Sequence, residues 1–222
     1  NEHAQEAADR LLSMFVSRLQ RYAQSELRRR GVEVQLGAAV DRVEDGRIIL
    51  KGGAAIRAET VLWAAGVRAG ELAGAVPGPH AQQGRLRVLP TLQLEGHGEV
   101  FAIGDMAALS AAGEPLPMLA PVAQQEGRCA GDNVTRLVAG QPPRRFVYQN
   151  RGMMATIGRT AAVAEVGPVR LTGFVAWAAW LGLHIVMLIG FRNRLLVLVN
   201  WAWNYFRYER AVRLILPPGR PL

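Results

Sequence analysis

The chain has 222 residues, half of them hydrophobic, with 26 basic against 18 acidic side chains and a formal net charge of +8. One cysteine, Cys129, excludes a disulfide scaffold and paired redox cysteines within this chain. The four histidines, His3, His80, His97 and His184, lack metal-ligand spacing, and no Gly-x-Ser-x-Gly nucleophile elbow occurs, so a metal centre and serine hydrolysis are not expected.

Residues 4–30 read as a helix, with Leu11, Leu12, Phe15, Leu19, Tyr22 and Leu27 along one stripe. Gly31 ends it and short strands follow to Gly66. The last of these, residues 60–67, is an apolar run that stops at Ala64-Ala65-Gly66, small residues that leave room for a dinucleotide. Residues 70–83 are a Gly/Pro-rich connection between domains. Strands are expected over 85–88, 90–94 and 99–105, a loop over 111–117 and a helix over 122–138, with Pro121 in its first turn. Gln141-Pro142-Pro143 marks the next boundary. Residues 146–148, 154–157 and 162–166 read as antiparallel strands, and the last fifty residues as helical.

The most informative stretch is 100–105, Val-Phe-Ala-Ile-Gly-Asp. It predicts a buried parallel strand ending at Gly104 and Asp105, where open α/β sheets bind their ligands. Gly104 permits close backbone approach, and the Asp105 carboxylate can accept a sugar-type hydroxyl such as the ribityl chain of a flavin. An ordinary strand-to-turn junction is the alternative. The helix after Pro121 presents a partial positive charge at its start, suited to the pyrimidine side of a reduced flavin. No Gly-x-Gly-x-x-Gly fingerprint is present.

Together these segments resemble the carboxyl-terminal half of a type II NADH dehydrogenase, the single-subunit flavoprotein that reduces quinone. The resemblance rests on Trp63-Ala64-Ala65-Gly66-Val67, Ala102-Ile103-Gly104-Asp105 and the run 151–159 with Ala162-Val163-Ala164. Its most specific piece is the tail, Trp180-Leu181 through Arg194 and then Asn200-Trp201-Ala202-Trp203. It implies an α/β fold: part of a flavoprotein with two Rossmann-like dinucleotide-binding domains, for FAD and NAD, plus a C-terminal α+β membrane-associating domain. Residues 1–69 are expected to belong to the NAD-binding domain, 70–140 to the FAD-binding domain and 141–222 to the membrane-associating domain. The cofactors implied are FAD and NADH, and the electron acceptor a quinone.

The resemblance also implies roles residue by residue. Gly104, Asp105 and Ala123 would contact FAD, and Ala65 and Gly66 the nicotinamide side. Gln125 would face the quinone, as a neutral amide can donate to a carbonyl without bringing charge into an apolar tunnel. Many relatives carry a second glutamine where this chain has Pro121. Arg151 stands where some relatives have lysine; it would stabilise reduced quinone or flavin but is a poor proton donor. The chain starts at Asn1 without both glycine fingerprints, so it is expected to be the back part of a longer protein and inactive by itself. A non-catalytic membrane-binding remnant, or another quinone- or ferredoxin-linked reductase, is the competing reading.

From Leu171 onward the cations are Arg192, Arg194, Arg207, Arg210, Arg213 and Arg220, against Glu209 alone. They lie among Trp177, Trp180, Trp201, Trp203, Tyr205, Phe206 and Tyr208, the composition of a membrane interface rather than a nucleic-acid site. Residues 174–191 are a formal spanning candidate, but the resemblance favours monotopic attachment through residues 174–213 to the cytoplasmic face of a bacterial membrane. It leaves room for a homodimer.

Overall fold

A computed structural model describes residues 2–64, 66–111, 114–188 and 191–207. It divides into two compact units: residues up to Ala58 together with those from Gly152 onward, and Glu59–Arg151. The first unit begins with β1 (Glu2–Glu6), paired in parallel with β2 (Val32–Leu36) from Glu2 opposite Val32 to Glu6 opposite Leu36. Parallel neighbours need a crossover, supplied by helix α1 (Ser17–Arg29). The sequence reading carries this helix back to residue 4. Instead, the backbone of residues 2–6 bonds to β2, and Leu12 adopts a φ of 52°, which a right-handed helix cannot contain. An antiparallel meander follows: β3 (Val40–Glu44), β4 (Arg47–Leu50) and β5 (Ala55–Arg57).

The second unit holds α2 (Glu71–Ala75), β6 (Leu86–Arg87), β7 (Gln93–Leu94), β8 (His97–Phe101), β9 (Ala107–Ala108), β10 (Ser110–Ala111), β11 (Glu114–Pro115) and α3 (Ala120–Val138). β6 and β9 pair in parallel, β7 with β8 and β10 with β11 antiparallel. Leu86, Leu92, Leu94, Ala107 and Val122 close the core beneath α3.

Four expectations change here. Residues 111–117 are not all loop: Ala111 ends β10 and Glu114–Pro115 form β11, paired with it. The stretch before Gly104 is not a parallel strand: the tight Glu95-Gly96 turn, with Gly96 at φ 85°, folds β8 back antiparallel onto β7. Residues 60–64, 66 and 67 form no strand; no described strand pairs with them, and Leu62 is 90% exposed. Residues 146–148 form none either, because the Phe146 amide bonds to the Pro90 carbonyl while Phe146 and Tyr148 pack on the core.

The first unit resumes with β12 (Met153–Thr156), β13 (Ala162–Val166) and β14 (Val169–Thr172), an antiparallel sheet in that order, then α4 (Gly173–Met187) and α5 (Phe191–Arg207). β13 is covered on both faces, as its alternation requires. Val163 joins Leu19 and Ala23 of α1, while Ala162 and Ala164 meet Ala176 of α4. Glu165 also accepts a bond from the Val16 amide at the start of α1, at 3.3 Å.

Candidate functional site

β8 delivers the chain to Ile103, which is extended, and then to a 3-10 turn over Gly104–Met106. Gly104 holds a φ of 63°, a conformation that disfavours any residue with a Cβ. A Cβ there would also stand 3.2 Å from the Cβ of Ala123. The turn is therefore seated on the first turns of α3, and Gly104 and Ala123, far apart in sequence, meet. The Gly104 amide donates to Glu126 Oε2 at 2.6 Å. Asp105 is exposed beside it. α3 starts from an extended Leu119 without a side-chain cap, with proline in its first turn. The Leu119 amide bonds to the Pro117 carbonyl, those of Val122 and Ala123 bond to the Leu119 carbonyl, and Pro121 has no N–H, so the amino end offers an electron-rich group its partial positive charge rather than a row of N–H donors.

These features fit a flavin: a turn without a Cβ, a carboxylate at its tip and an uncapped helix start. Gly104, Asp105 and Ala123 would hold it.

Gln125 lies one residue before Glu126 and is half-buried. Its Nε2 donates to the Gln149 carbonyl and its Oε1 accepts from the Gln149 amide, both at 3.0 Å. A carboxamide nitrogen carries two hydrogens, and the bond to Gln149 uses one. Arg151 is exposed two residues further on. Gly66 is exposed at φ 98°, and nothing lies within 4 Å of where its Cβ would be. Ala65 lies outside the described residues.

Three buried polar residues escaped the sequence reading. Glu126 is 1% exposed; burial pushes its carboxyl above the ordinary range, opposed by the Gly104 bond and the Arg85 cation and reinforced by Asp105. Arg85 is buried too, its guanidinium bonded to the carbonyls of Ala107 and Leu116. Asn133 bonds to the carbonyls of Thr91 and Arg144 and to the Arg144 amide. The signal was there: Val122, Glu126, Ala130 and Asn133 recur at helical spacing, so two polar groups sit on the buried stripe of α3. Cys129 is half-buried on the same helix, and burial raises its thiol pKa, which leaves it a poor nucleophile. Among the described residues no His/Cys/Asp/Glu group is placed to hold a metal ion.

In the first unit α4 and α5 meet through Trp180 and Trp201, stacked with centroids 5.9 Å apart. Around them lies an open pocket of about 400 Å³ lined by Trp177, Leu181, Leu198 and Arg159. Phe174, Val175, Val186, Met187, Val199 and Trp203 are each more than half exposed. Among the described residues no helix is long and apolar enough to cross a membrane. Arg210, Arg213 and the other residues beyond Arg207 expected to attach to a membrane lie outside the described residues.

Comparison with known proteins adds to this geometry. Residues 3–127 match the model of the pyridine nucleotide-disulphide oxidoreductase family, and residues 150–207 that of the NDH2 C-terminal domain. The chain is 35% identical over 217 residues to the type II NADH:quinone oxidoreductase Ndh of Mycobacterium tuberculosis, covering 93% of this chain and 46% of that protein. It is 37% identical over 219 residues to NdhA of the same organism, with the same coverage. The chain thus spans about half the length of these curated relatives. Its fold is similar to that of NDH2 from Plasmodium falciparum, solved with NADH, at a TM-score of 0.80 and 14% identity, over 92% of this chain and 58% of that one.

Proposed function

We propose a function from one premise: the chain belongs to the pyridine nucleotide-disulphide oxidoreductase family, on its type II NADH:quinone oxidoreductase branch. The protein of which it forms part oxidises NADH and reduces a membrane quinone, with FAD between them. The observation that carries this reading is the Gly104–Asp105 turn seated on Ala123 at the start of α3. The chemistry FAD supplies when bound is two-electron transfer between a nicotinamide and a quinone.

This chain's residues bind and orient. Asp105 would accept from the ribityl hydroxyls, Gly104 would let the cofactor approach the backbone, and the amino end of α3 would set its partial positive charge towards the pyrimidine side. Gln125, with the second hydrogen of its amide, donates to the quinone carbonyl. Arg151 offsets negative charge near the site, and Ala65 and Gly66 leave room on the nicotinamide side. In domain terms, residues 1–69 serve the nicotinamide, 70–140 the flavin and 141–222 the membrane. The exposed apolar faces of α4 and α5, with Arg192 and Arg194, attach the protein peripherally to the cytoplasmic face of a bacterial membrane.

The test is the full-length protein purified and assayed with NADH and a quinone. Stoichiometric FAD and NADH-dependent quinone reduction are expected. A protein that binds no flavin, or reduces no quinone with flavin bound, overturns the reading.

A further inference from the structure

The buried stripe of α3 carries two polar side chains, and they are treated differently. Asn133 has both its amide oxygen and its amide nitrogen engaged. Glu126 has one oxygen engaged: Oε2 takes the Gly104 amide at 2.6 Å, while Oε1 is buried and has no hydrogen-bond partner. A buried carboxyl group with an idle oxygen is costly, and an apolar side chain would fill the same space more cheaply. Arg85 does not repay that cost by direct contact, because its donors go to the Ala107 and Leu116 carbonyls. What Glu126 provides is the single bond to Gly104. That bond lands on a residue with positive φ, immediately before Asp105.

We infer that Glu126 is a positioning residue for flavin binding: by accepting the Gly104 N–H it locks the Gly104–Asp105 turn onto α3, so that Asp105 is presented to the ribityl chain. The inference rests on the reading of Gly104–Asp105 as the flavin turn. Two features then fix that turn, the Glu126 bond and a close approach to Ala123 that leaves little room for a Cβ at position 104. The essential property of Glu126 is a hydrogen-bond acceptor at the right reach, not a negative charge. Glutamine keeps that acceptor, leucine removes it and aspartate withdraws it by one methylene.

The experiment uses the full-length protein with Glu126→Gln, Glu126→Leu, Glu126→Asp and, as a parallel arm, Asp105→Ala. FAD affinity is read by titration calorimetry, and the Gly104 amide by hydrogen exchange. E126Q is expected to hold FAD within about three-fold of wild type and keep the Gly104 amide protected, whereas E126L weakens FAD about ten-fold or more and exposes that amide. E126D behaves like E126L, and carries the comparison should E126L fail to fold. Wild-type affinity in E126L or E126D overturns the inference, as does an E126Q protein as weak as E126L, since that result would assign the effect to charge. The parent reading fails separately: unchanged FAD affinity in D105A sinks the flavin assignment of the turn, whereas a weakened D105A beside an unaffected E126L or E126D sinks the role of Glu126 alone.

Discussion

The carboxamide of Gln125 and the backbone of Gln149 exchange two hydrogen bonds, each 3.0 Å long. The pair ties the extended segment after α3 to the second turn of that helix. Gln125 therefore holds residue 149, and in the proposed function its second amide hydrogen would go to the quinone. Gln125→Leu is expected to slow quinone reduction in the full-length protein while NADH-driven bleaching of the flavin stays intact. Stopped-flow measurement of the two half-reactions separates them. Equal losses in both would place Gln125 in folding or flavin binding instead.

Asp105 is exposed at the tip of its turn, so its substitution disturbs no packing. In the full-length protein Asp105→Ala is expected to weaken FAD binding by roughly 1.5–3 kcal/mol, the worth of a hydrogen bond to a charged group. The melting temperature without cofactor should hardly move. Titration of the apoprotein with FAD reads the first effect and thermal denaturation the second.

Asn133 offers a purely structural counterpart. It is fully buried and bonds to two carbonyls and an amide, joining α3 to Thr91 and Arg144. Asn133→Ala leaves the Arg144 amide without its acceptor and opens a cavity on the buried face. The expected loss is about 2–4 kcal/mol, measurable as a lower urea midpoint with an unchanged slope. A loss under about 1 kcal/mol would mean that water replaces the side chain.

Much of the fold could be read from the chain, because it depended on local pattern. The long helix after Pro121, the β12 and β13 strands and the two terminal helices follow from periodicity and punctuation. The misreadings came where non-local pairing decides. Residues 2–6 carry an acceptable helical pattern, yet their backbone is claimed by β2, some thirty residues away in sequence. Residues 60–67 have the composition of a buried strand but no described strand beside them. At the candidate site, Gly104, Asp105 and Ala123 could be named from motif, and Gly104 and Ala123 do meet. Glu126 shares the helical stripe of Val122 and Ala130, a signal of burial, but its role does not follow from that spacing, because the turn it bonds to is set against it only in the fold.

The acidity of Glu126 has a consequence for stability. Burial raises its carboxyl pKa in the folded chain, so the folded state holds the proton more tightly than the unfolded state. Its contribution is therefore most favourable below the unfolded-state value and is lost as pH rises through the folded-state value. The charged neighbours that act on it are Arg85, which opposes the shift, and Asp105, which adds to it. Urea denaturation from about pH 4 to 7, spanning the ordinary carboxylate range and above, should show wild type falling relative to E126Q. Parallel curves for the two proteins would remove this carboxyl as the source.

Attachment to the membrane can be tested through geometry. α4 has 15 residues, about 22 Å of helix at 1.5 Å per residue, against the ~30 Å hydrocarbon core of a bilayer. It is too short to span, yet Phe174, Val175, Val186 and Met187 expose their apolar surface. In the proposed arrangement α4, apolar all round its circumference, would lie in the interface with its exposed residues among the acyl chains, and Arg192 and Arg194 would meet the headgroups. Binding of the full-length protein to vesicles is expected to rise with the fraction of anionic lipid and fall with salt, read by co-sedimentation. Deleting residues 191–222 should release the protein into the soluble fraction while it still oxidises NADH with a water-soluble acceptor. A reporter fused after Leu222 should stay on the cytoplasmic side. Its appearance on the far side would mean that the tail crosses the bilayer, and the interfacial arrangement would be wrong.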